Sequence, residues 1–266
     1  MNKHKDIFAK SIFKKGQTSD LGRTNVVTHT IQTGNAKSIK QRAYKSSPNQ
    51  LEFIKNEITT MLEKGIISST ISPWSSPVVV VPKKNNKKRL CIDYRKLNEV
   101  TEKDIYPMSV VDDLLETFNG AKWFSCLDLA SGYWQVAMND EDKKKTAFVT
   151  KFGLYEFNMM LFGLCNAPAT FQRLMDEILA PFRGRFVEVY LDDITIFFKT
   201  FEDHCIHVTT ILDTLRQANL MLNSKKCHFF LSQVKLLGHK INREGIQPDD
   251  EKLVKVKNYP QPMTIR

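Results

Sequence analysis

The sequence has little that would place the chain in a membrane or lock it with disulfides. Its longest purely aliphatic run is Val78–Val81, far short of the roughly 20 apolar residues that cross a bilayer. Met1 is followed by a polar segment with no apolar stretch behind it, so we expect no secretory signal. The five cysteines are scattered and odd in number, which favours reduced thiols in the cytosol or nucleus over a disulfide framework.

Negative charge is also scarce. The 266 residues carry 39 Lys and Arg against 29 Asp and Glu, a formal net charge of +10. A basic surface attracts phosphate backbones largely without regard to their sequence. The charge therefore favours a polyanionic partner but does not indicate any chemistry.

The first part of the chain combines an irregular segment with a well-marked helix. Residues 1–46 are polar, basic and without clear periodicity, which is typical of an extended or partly disordered lead-in. Ser47 and Gln50 then predict a capping box, and an apolar stripe at helical spacing continues to Leu62. Gly65 predicts the end of this helix.

The rest of the chain mixes helices with antiparallel hairpins. The basic segment 83–89 predicts the tip of one hairpin, and residues 227–246 predict another. Between them, Pro168 suits the first turn of a helix. Because strands and helices do not alternate strictly, the sequence predicts an α+β fold.

Two adjacent carboxylates interrupt an apolar strand pattern. Asp192 and Asp193 lie between two apolar segments within 189–198 that leave room only for a tight connection. Neighbouring carboxylates repel each other and resist desolvation. Sequences break such local rules mainly where function requires it. The alternative interpretation is a solvent-exposed acidic turn.

A third carboxylate, Asp128, lies in the otherwise apolar strand predicted at 123–129. A buried Asp requires a metal ion, an Arg or several N–H donors, and the alternative here is a bond to the Ser131–Gly132 turn. If Asp128 faces the 192–193 pair, the three carboxylates form a hard-oxygen cluster that suits magnesium. Two such ions about 4 Å apart can activate a hydroxyl and neutralise charge during phosphoryl transfer.

Seven motifs in a fixed order carry a resemblance to a known family. They are WSSPV (74–78), CIDYRKLN (91–98), LDLASGYWQ (127–135), KTAF (145–148), FGLCNAPATF (162–171), YLDD (190–193) and LGH (237–239). With these motifs, residues 29–262 resemble the reverse transcriptase of Gypsy-type LTR retrotransposons, which is a segment of a Pol polyprotein.

The resemblance implies a right-hand polymerase fold. The fingers are expected at 47–103 and 136–166, and the palm, an antiparallel sheet with helices, at 104–135 and 167–246. Residues 1–46 form a basic lead-in or linker. A thumb starts in 247–266 and is expected to be largely missing.

The resemblance also assigns the catalytic centre. Asp128, Asp192 and Asp193 match the metal-binding triad of the palm. They are expected to hold two Mg²⁺ ions, for which Mn²⁺ can substitute.

Further residues match the nucleotide contacts of the family. Lys83 and Arg89 match the cations that grip the incoming triphosphate, with Lys84 as the alternative to Lys83. Arg suits this role because its planar fork pairs with two phosphate oxygens. Ser131 and Gly132 would offer backbone N–H groups to the same triphosphate.

Three positions match sugar and primer contacts. Tyr133 matches the aromatic gate that excludes a ribose 2′-hydroxyl by crowding, and Phe162 lies where retroviral relatives place a Gln that touches the nucleotide. Leu237 and Gly238 match the hairpin that grips the primer terminus. Ordinary core packing remains the alternative for Tyr133 and Leu237.

The expected function is that of a nucleotidyltransferase, an RNA-directed DNA polymerase in retrotransposon replication. Its partners would be an RNA or DNA template with a primer, dNTPs and the remaining Pol segments (thumb, ribonuclease H, integrase), with no membrane. It is expected in the cytoplasm, including virus-like particles, or in the nucleus. The alternative is a truncated, catalytically silent remnant that binds nucleic acid, and a metal-dependent nuclease is a third hypothesis.

Overall fold

The computed structural model describes residues 2–9, 21–82, 88–107, 111–190, 193–248, 253–254 and 257–259. In these ranges the longer helices are α1 (Pro48–Glu63), α2 (Arg95–Val100), α3 (Val111–Thr117), α4 (Ala167–Leu179) and α5 (Phe201–Gln217). Short 3₁₀ helices lie at Asn2–Ile7, Gly132–Gln135 and Lys143–Thr146. No helix in the described ranges is both long and apolar enough to cross a membrane.

The strands form several small sheets. They are β1 (Thr28–His29), β2 (Ile67–Ser69), β3 (Ser76–Pro82), β4 (Lys88–Ile92), β5 (Trp123–Asp128), β6 (Ala137–Met138), β7 (Phe148–Thr150), β8 (Gly153–Phe157), β9 (Val187–Tyr190), β10 (Asp193–Phe198), β11 (His228–Leu231), β12 (Gln233–Leu236), β13 (His239–Asn242) and β14 (Gly245–Pro248). Mostly antiparallel sheets with helices packed on them agree with the predicted α+β class.

A four-stranded antiparallel sheet, in the order β11-β5-β10-β9, is the centre of the fold. Its strands are nearly continuous apolar runs, and Leu127, Val189, Ile194 and Ile196 are fully buried. The helices α4 and α5 pack against it. Because the apolar side chains fix the register, they also fix which residues face each other at the end of the sheet.

A five-stranded sheet, in the order β2-β8-β7-β3-β4, lies beside α1. The predicted capping box is present, with reciprocal bonds between Ser47 and Gln50. Ile54, Ile58 and Met61 bury the apolar stripe. Leu62, which was included in that stripe, is exposed, because it lies at the stripe's edge on the helix.

A three-stranded sheet, β12-β13-β14, follows the central sheet in the chain. The sequence predicted a single hairpin over 227–246, and this is wrong. The first strand of the region, β11, leaves it and pairs with β5 instead. Strands β12 and β13 pack with α3 around a second, smaller core. The distant pairing partner of β11 is not encoded in the local pattern that was used for the prediction.

The lead-in belongs to the core. Residues 21–46 are largely extended, but Ile31 is 2% exposed and β1 pairs with β6. Ile7 is also buried, and its carbonyl accepts a 2.8 Å hydrogen bond from the Leu222 N–H. Residues 10–20 lie outside the described ranges. For the described residues, the partly disordered alternative is wrong, since isolated apolar anchors without periodicity are enough to dock the segment.

Candidate active site

Asp128 and Asp193 end two neighbouring strands of the central sheet. They are directly paired in the antiparallel register of β5 and β10. Side chains at directly opposed positions lie on the same face, with Cβ atoms about 5 Å apart. Asp193 also pairs with Tyr190 of β9, so only residues 191 and 192 connect β9 to β10. Asp192, the remaining member of the predicted triad, lies outside the described residues.

The carboxylate of Asp128 accepts a hydrogen bond from Lys226 Nζ at 2.9 Å. Its side chain is 21% exposed, so it is half-buried and not sealed in the core. The alternative partner considered from the sequence was the Ser131–Gly132 turn. The structure instead supplies a lysine from the segment before β11, which offsets one of the two negative charges.

Burial raises the pKa of Asp193 above its usual value, and the negative charge of Asp128 raises it further, whereas Lys226 opposes the shift. Two carboxylates on one face, of which Asp193 has a raised pKa, form an environment that favours a cation. Oxygen ligands of this type suit Mg²⁺ and Mn²⁺. Within the described residues no three His, Cys, Asp or Glu side chains form a metal cluster. The pair present fits a divalent cation as part of a larger ligand set.

A cleft of about 580 Å³ opens beside this pair. It lies between the central sheet and the three-stranded sheet, and both carboxylates line it. Three lysines, Lys225, Lys226 and Lys235, line it as well. The cleft therefore combines a carboxylate pair with a basic rim, which suits a phosphate-bearing ligand that arrives with a metal ion.

The chain leaves β5 through a strained turn into a 3₁₀ helix. Ser131 has left-handed backbone angles (φ 52°, ψ 55°). Gly132 packs tightly on α4, since a Cβ there would lie 3.0 Å from Cζ of Phe171. Tyr133 is 6% exposed. Its ring stacks on Phe162 at 4.4 Å between centroids. The structure thus brings these predicted nucleotide contacts together around one aromatic group.

Of the two predicted triphosphate cations, Arg89 lies on the hairpin of β3 and β4. Arg89 is exposed on β4 and pairs with Val81 of β3. Lys83, like the alternative Lys84, lies outside the described residues. The strands on both sides confirm the predicted hairpin.

The predicted primer contacts form the turn between β12 and β13. Leu237 has φ 52° and Gly238 has φ 77°, and the flanking residues Leu236 and His239 are paired. Two consecutive positive φ values are those of a type I′ hairpin turn. Leucine rarely adopts this conformation, which costs about 1–2 kcal/mol. Leu237 also packs against the smaller core, so the core packing that was the alternative from the sequence is present at this position.

Sequence reasoning missed Lys226. Its contact with Asp128 depends on the pairing of β11 with β5, over a separation of 98 residues. The Lys-Lys-Cys segment before an apolar strand was the available signal. Cys227 also ties this segment to Asp128, because its Sγ accepts a hydrogen bond from the Asp128 N–H.

Comparison with known proteins places this fold and site in one family. The family model described as reverse transcriptase (RNA-dependent DNA polymerase) matches residues 81–241. The chain belongs to the reverse transcriptase family.

The similar relatives are retrotransposon polyproteins. The retrovirus-related Pol polyprotein from transposon 297 of Drosophila melanogaster is 39% identical over 255 residues, which cover 94% of this chain and 24% of that protein. The Pol polyprotein from transposon gypsy of the same organism is 40% identical over 242 residues, 89% of this chain and 23% of that protein. The chain spans about a quarter of the length of these relatives. The predicted resemblance to Gypsy-type reverse transcriptases is confirmed.

Solved structures give the same fold. The foamy viral protease-reverse transcriptase in complex with an RNA/DNA hybrid matches with a TM-score of 0.85 and 23% identity, covering 98% of this chain and 34% of that one. Another foamy viral structure, in complex with double-stranded DNA, matches with a TM-score of 0.83 and 25% identity, covering 91% of this chain and 42% of that one. The predicted right-hand polymerase fold, with palm and fingers, is confirmed.

Proposed function

We propose that this chain catalyses RNA-directed DNA synthesis, the transfer of a nucleotide from a dNTP to a primer 3′-hydroxyl with release of pyrophosphate. The observation that carries the proposal is the opposed pair Asp128 and Asp193 at the mouth of a basic cleft. Membership of the reverse transcriptase family supports the same chemistry.

Asp128, Asp192 and Asp193 would hold two divalent cations, Mg²⁺ or Mn²⁺. Such ions, when bound, lower the pKa of an attacking hydroxyl and neutralise charge on the reacting phosphate. The protein's own contribution is to fix Asp128 and Asp193 on one face through the register of β5 and β10. Lys226 would balance the charge of Asp128 until the cations arrive.

The nucleotide would lie between the central sheet and the β3–β4 hairpin. Arg89 is exposed and free to reach a triphosphate with its planar fork, and Lys83 would act beside it. The backbone N–H groups of Ser131 and Gly132 would bind the same phosphates. Tyr133 would exclude the ribose 2′-hydroxyl, and Leu237 and Gly238 would contact the primer terminus.

The sheets support the domain limits that the resemblance implies. The four-stranded and three-stranded sheets would form the palm (104–135 and 167–246), and the five-stranded sheet with α1 the fingers (47–103 and 136–166). The template would be RNA or DNA, because similar folds were solved with an RNA/DNA hybrid and with double-stranded DNA. The remaining Pol segments of the relatives are further candidate partners.

Primer extension on poly(rA)·oligo(dT) with dTTP and Mg²⁺ tests this proposal. We expect incorporation by the unmutated chain and none by Asp192→Asn or Asp193→Asn, while both variants still bind the duplex. Asp140→Asn is the matched control, since Asp140 is an exposed carboxylate that forms an ion pair with Lys143, on the 3₁₀ helix at Lys143–Thr146. Incorporation that persists in the Asp192→Asn variant would overturn the triad. Duplex binding without incorporation by the unmutated chain would favour a silent, nucleic-acid-binding remnant.

A further inference from the structure

Tyr133 is held by two aromatic rings from different parts of the chain. The Phe162 ring stacks on it with centroids 4.4 Å apart and an interplanar angle of 26°. The Phe171 ring of α4 lies at 5.2 Å and is tilted by 51°. Tyr133 is almost fully buried, whereas Phe162 is 57% exposed. Phe162 is therefore a cover over Tyr133 and not a member of the core.

The turn that carries Phe162 is fastened to the rest of the molecule. The side-chain amide of Asn98 donates a 2.7 Å hydrogen bond to the Gly163 carbonyl and accepts one at 3.0 Å from the Cys165 N–H. Gly163 has φ 99°, a conformation that favours glycine. Two leucines of the same turn, at 161 and 164, are buried. The backbone at Phe162 is thus fixed, and its ring has a defined place.

The second ring beside Tyr133, that of Phe171, also fits closely. Gly132 lacks the Cβ that would approach Phe171, so the Phe171 ring lies directly against the backbone next to Tyr133. Removing the Phe162 ring would take away the stacked neighbour of Tyr133 and leave the Phe171 ring, which is tilted by 51°. Stacked aromatic pairs contribute free energy beyond their buried area, so this loss would release the Tyr133 ring to tilt.

We propose that Phe162 is a positioning residue that sets the ring of Tyr133 and thereby the preference for deoxyribonucleotides over ribonucleotides. The proposal rests on the proposed polymerase function and on the gate role of Tyr133. A gate that works by crowding depends on small displacements, because repulsion between atoms rises steeply with overlap. The free energy of an aromatic pair corresponds to a factor of about two to ten in the equilibrium between the stacked and the displaced ring.

The ratio of kcat/KM for dTTP to kcat/KM for UTP on poly(rA)·oligo(dT) measures this preference. We expect Phe162→Ala and Phe162→Leu to lower the ratio by about two- to tenfold, mainly through faster UTP incorporation. Phe162→Trp keeps a stacking ring and is expected to retain the ratio. Phe152→Ala, which removes another exposed phenylalanine from the β7–β8 turn, is the matched control and should not change it.

A double-mutant cycle separates action through Tyr133 from direct contact with the nucleotide. In a Tyr133→Ala background, Phe162→Ala should have no further effect on the ratio. An unchanged ratio in Phe162→Ala, or effects of the two substitutions that simply multiply, would overturn the proposal.

A readout without catalysis keeps this result apart from failure of the proposed function. With 3-fluorotyrosine incorporated, the ¹⁹F resonance of Tyr133, assigned by its loss in Tyr133→Phe, should shift in Phe162→Ala and not in Phe152→Ala. An unshifted resonance would overturn the positioning role even in a protein that incorporates no nucleotide. A shifted resonance in a protein without incorporation would instead support the positioning and count against the polymerase.

Discussion

Asp128 and Asp193 face each other across two antiparallel strands, so that two carboxylates share one end of a tightly packed sheet. Like charges in directly opposed positions destabilise a sheet. Lys226 contacts Asp128 and also opposes the raised pKa of Asp193, but its single positive charge cannot balance two carboxylates. The free protein therefore carries an electrostatic cost at this point, and a bound cation would remove it.

The first prediction concerns this cost. We expect Asp193→Asn to raise the free energy of unfolding at pH 7 by about 0.5 kcal/mol in metal-free, low-salt buffer, although it abolishes primer extension. Denaturant unfolding measures the difference, and 1 M salt should shrink it by screening. The control Asp140→Asn should give no such gain. A loss of stability in Asp193→Asn would contradict the prediction.

The gain should also depend on pH. The pKa of Asp193 is raised in the folded state, so the unmutated protein loses stability as pH rises from the ordinary pKa of 3.8 through the raised folded pKa. The difference between Asp193→Asn and the unmutated protein should vanish below that window and be complete above it. A difference that is constant across the window would contradict the assigned cause.

His29 supplies the opposite dependence. Burial lowers its pKa to about 4, against the opposing charges of Asp142 and Asp104. Between pH 6.5 and 4 the unfolded chain binds a proton that the folded protein does not. The free energy of unfolding therefore falls by about 3 kcal/mol as the pH drops from 6.5 to 4. Unfolding curves of His29→Asn should lack this part of the slope. The exposed His228→Asn variant should retain it.

The lead-in can be tested through Ile7, which is 1% exposed. We expect Ile7→Ala to lower the free energy of unfolding by about 2–4 kcal/mol, the usual cost of removing a buried isoleucine side chain. Ile105→Ala, at a side chain that is 93% exposed, is the control and should have almost no effect. Equal behaviour of the two variants in thermal unfolding would mean that residues 2–9 are not docked in solution.

The turn between β12 and β13 gives a fourth test. Gly238 has φ 77°, so Gly238→Ala should cost about 1–2 kcal/mol of stability. Leu237→Gly relieves the backbone strain at position 237 but removes a packed side chain. Because these two effects oppose each other, we expect a smaller change in stability than for Gly238→Ala. If Leu237 contacts the primer, this second variant should still weaken primer–template binding, measured by fluorescence anisotropy. Binding equal to that of the unmutated chain would leave Leu237 with packing alone.

Local signals in the sequence were sufficient where the interaction itself is local. The capping box of α1 closes within four residues, and the strands around Asp193 are separated by only two, so both were predicted correctly. The tight turn at Gly238 was likewise found, through its motif. These features depend on backbone preferences that act between residues close together in the sequence.

Features that depend on distant partners were missed. β11 joins β5 across just over a hundred residues, and Lys226 reaches Asp128 because of that pairing. The anchor Ile7 has no periodic neighbours that would indicate burial. The stack of Phe162 on Tyr133 also joins two segments that are distant in the sequence, and neither segment indicates its contact with the other. Hydrophobic pattern and propensity carry no information on such pairings.

The register of β5 has a consequence for the decay of mobile elements. Successive side chains of a strand point to opposite faces, so one extra residue between Trp123 and Asp128 would turn the carboxylate away from Asp193 unless the strand bulged. All seven sequence motifs could still be recognised in such a copy. The nucleotide transfer proposed above would nevertheless be lost. In genomic copies with in-frame insertions, the number of residues inserted into this strand, even or odd, decides whether Asp128 still faces Asp193. That number is therefore a stricter criterion for an intact site than the presence of the aspartates.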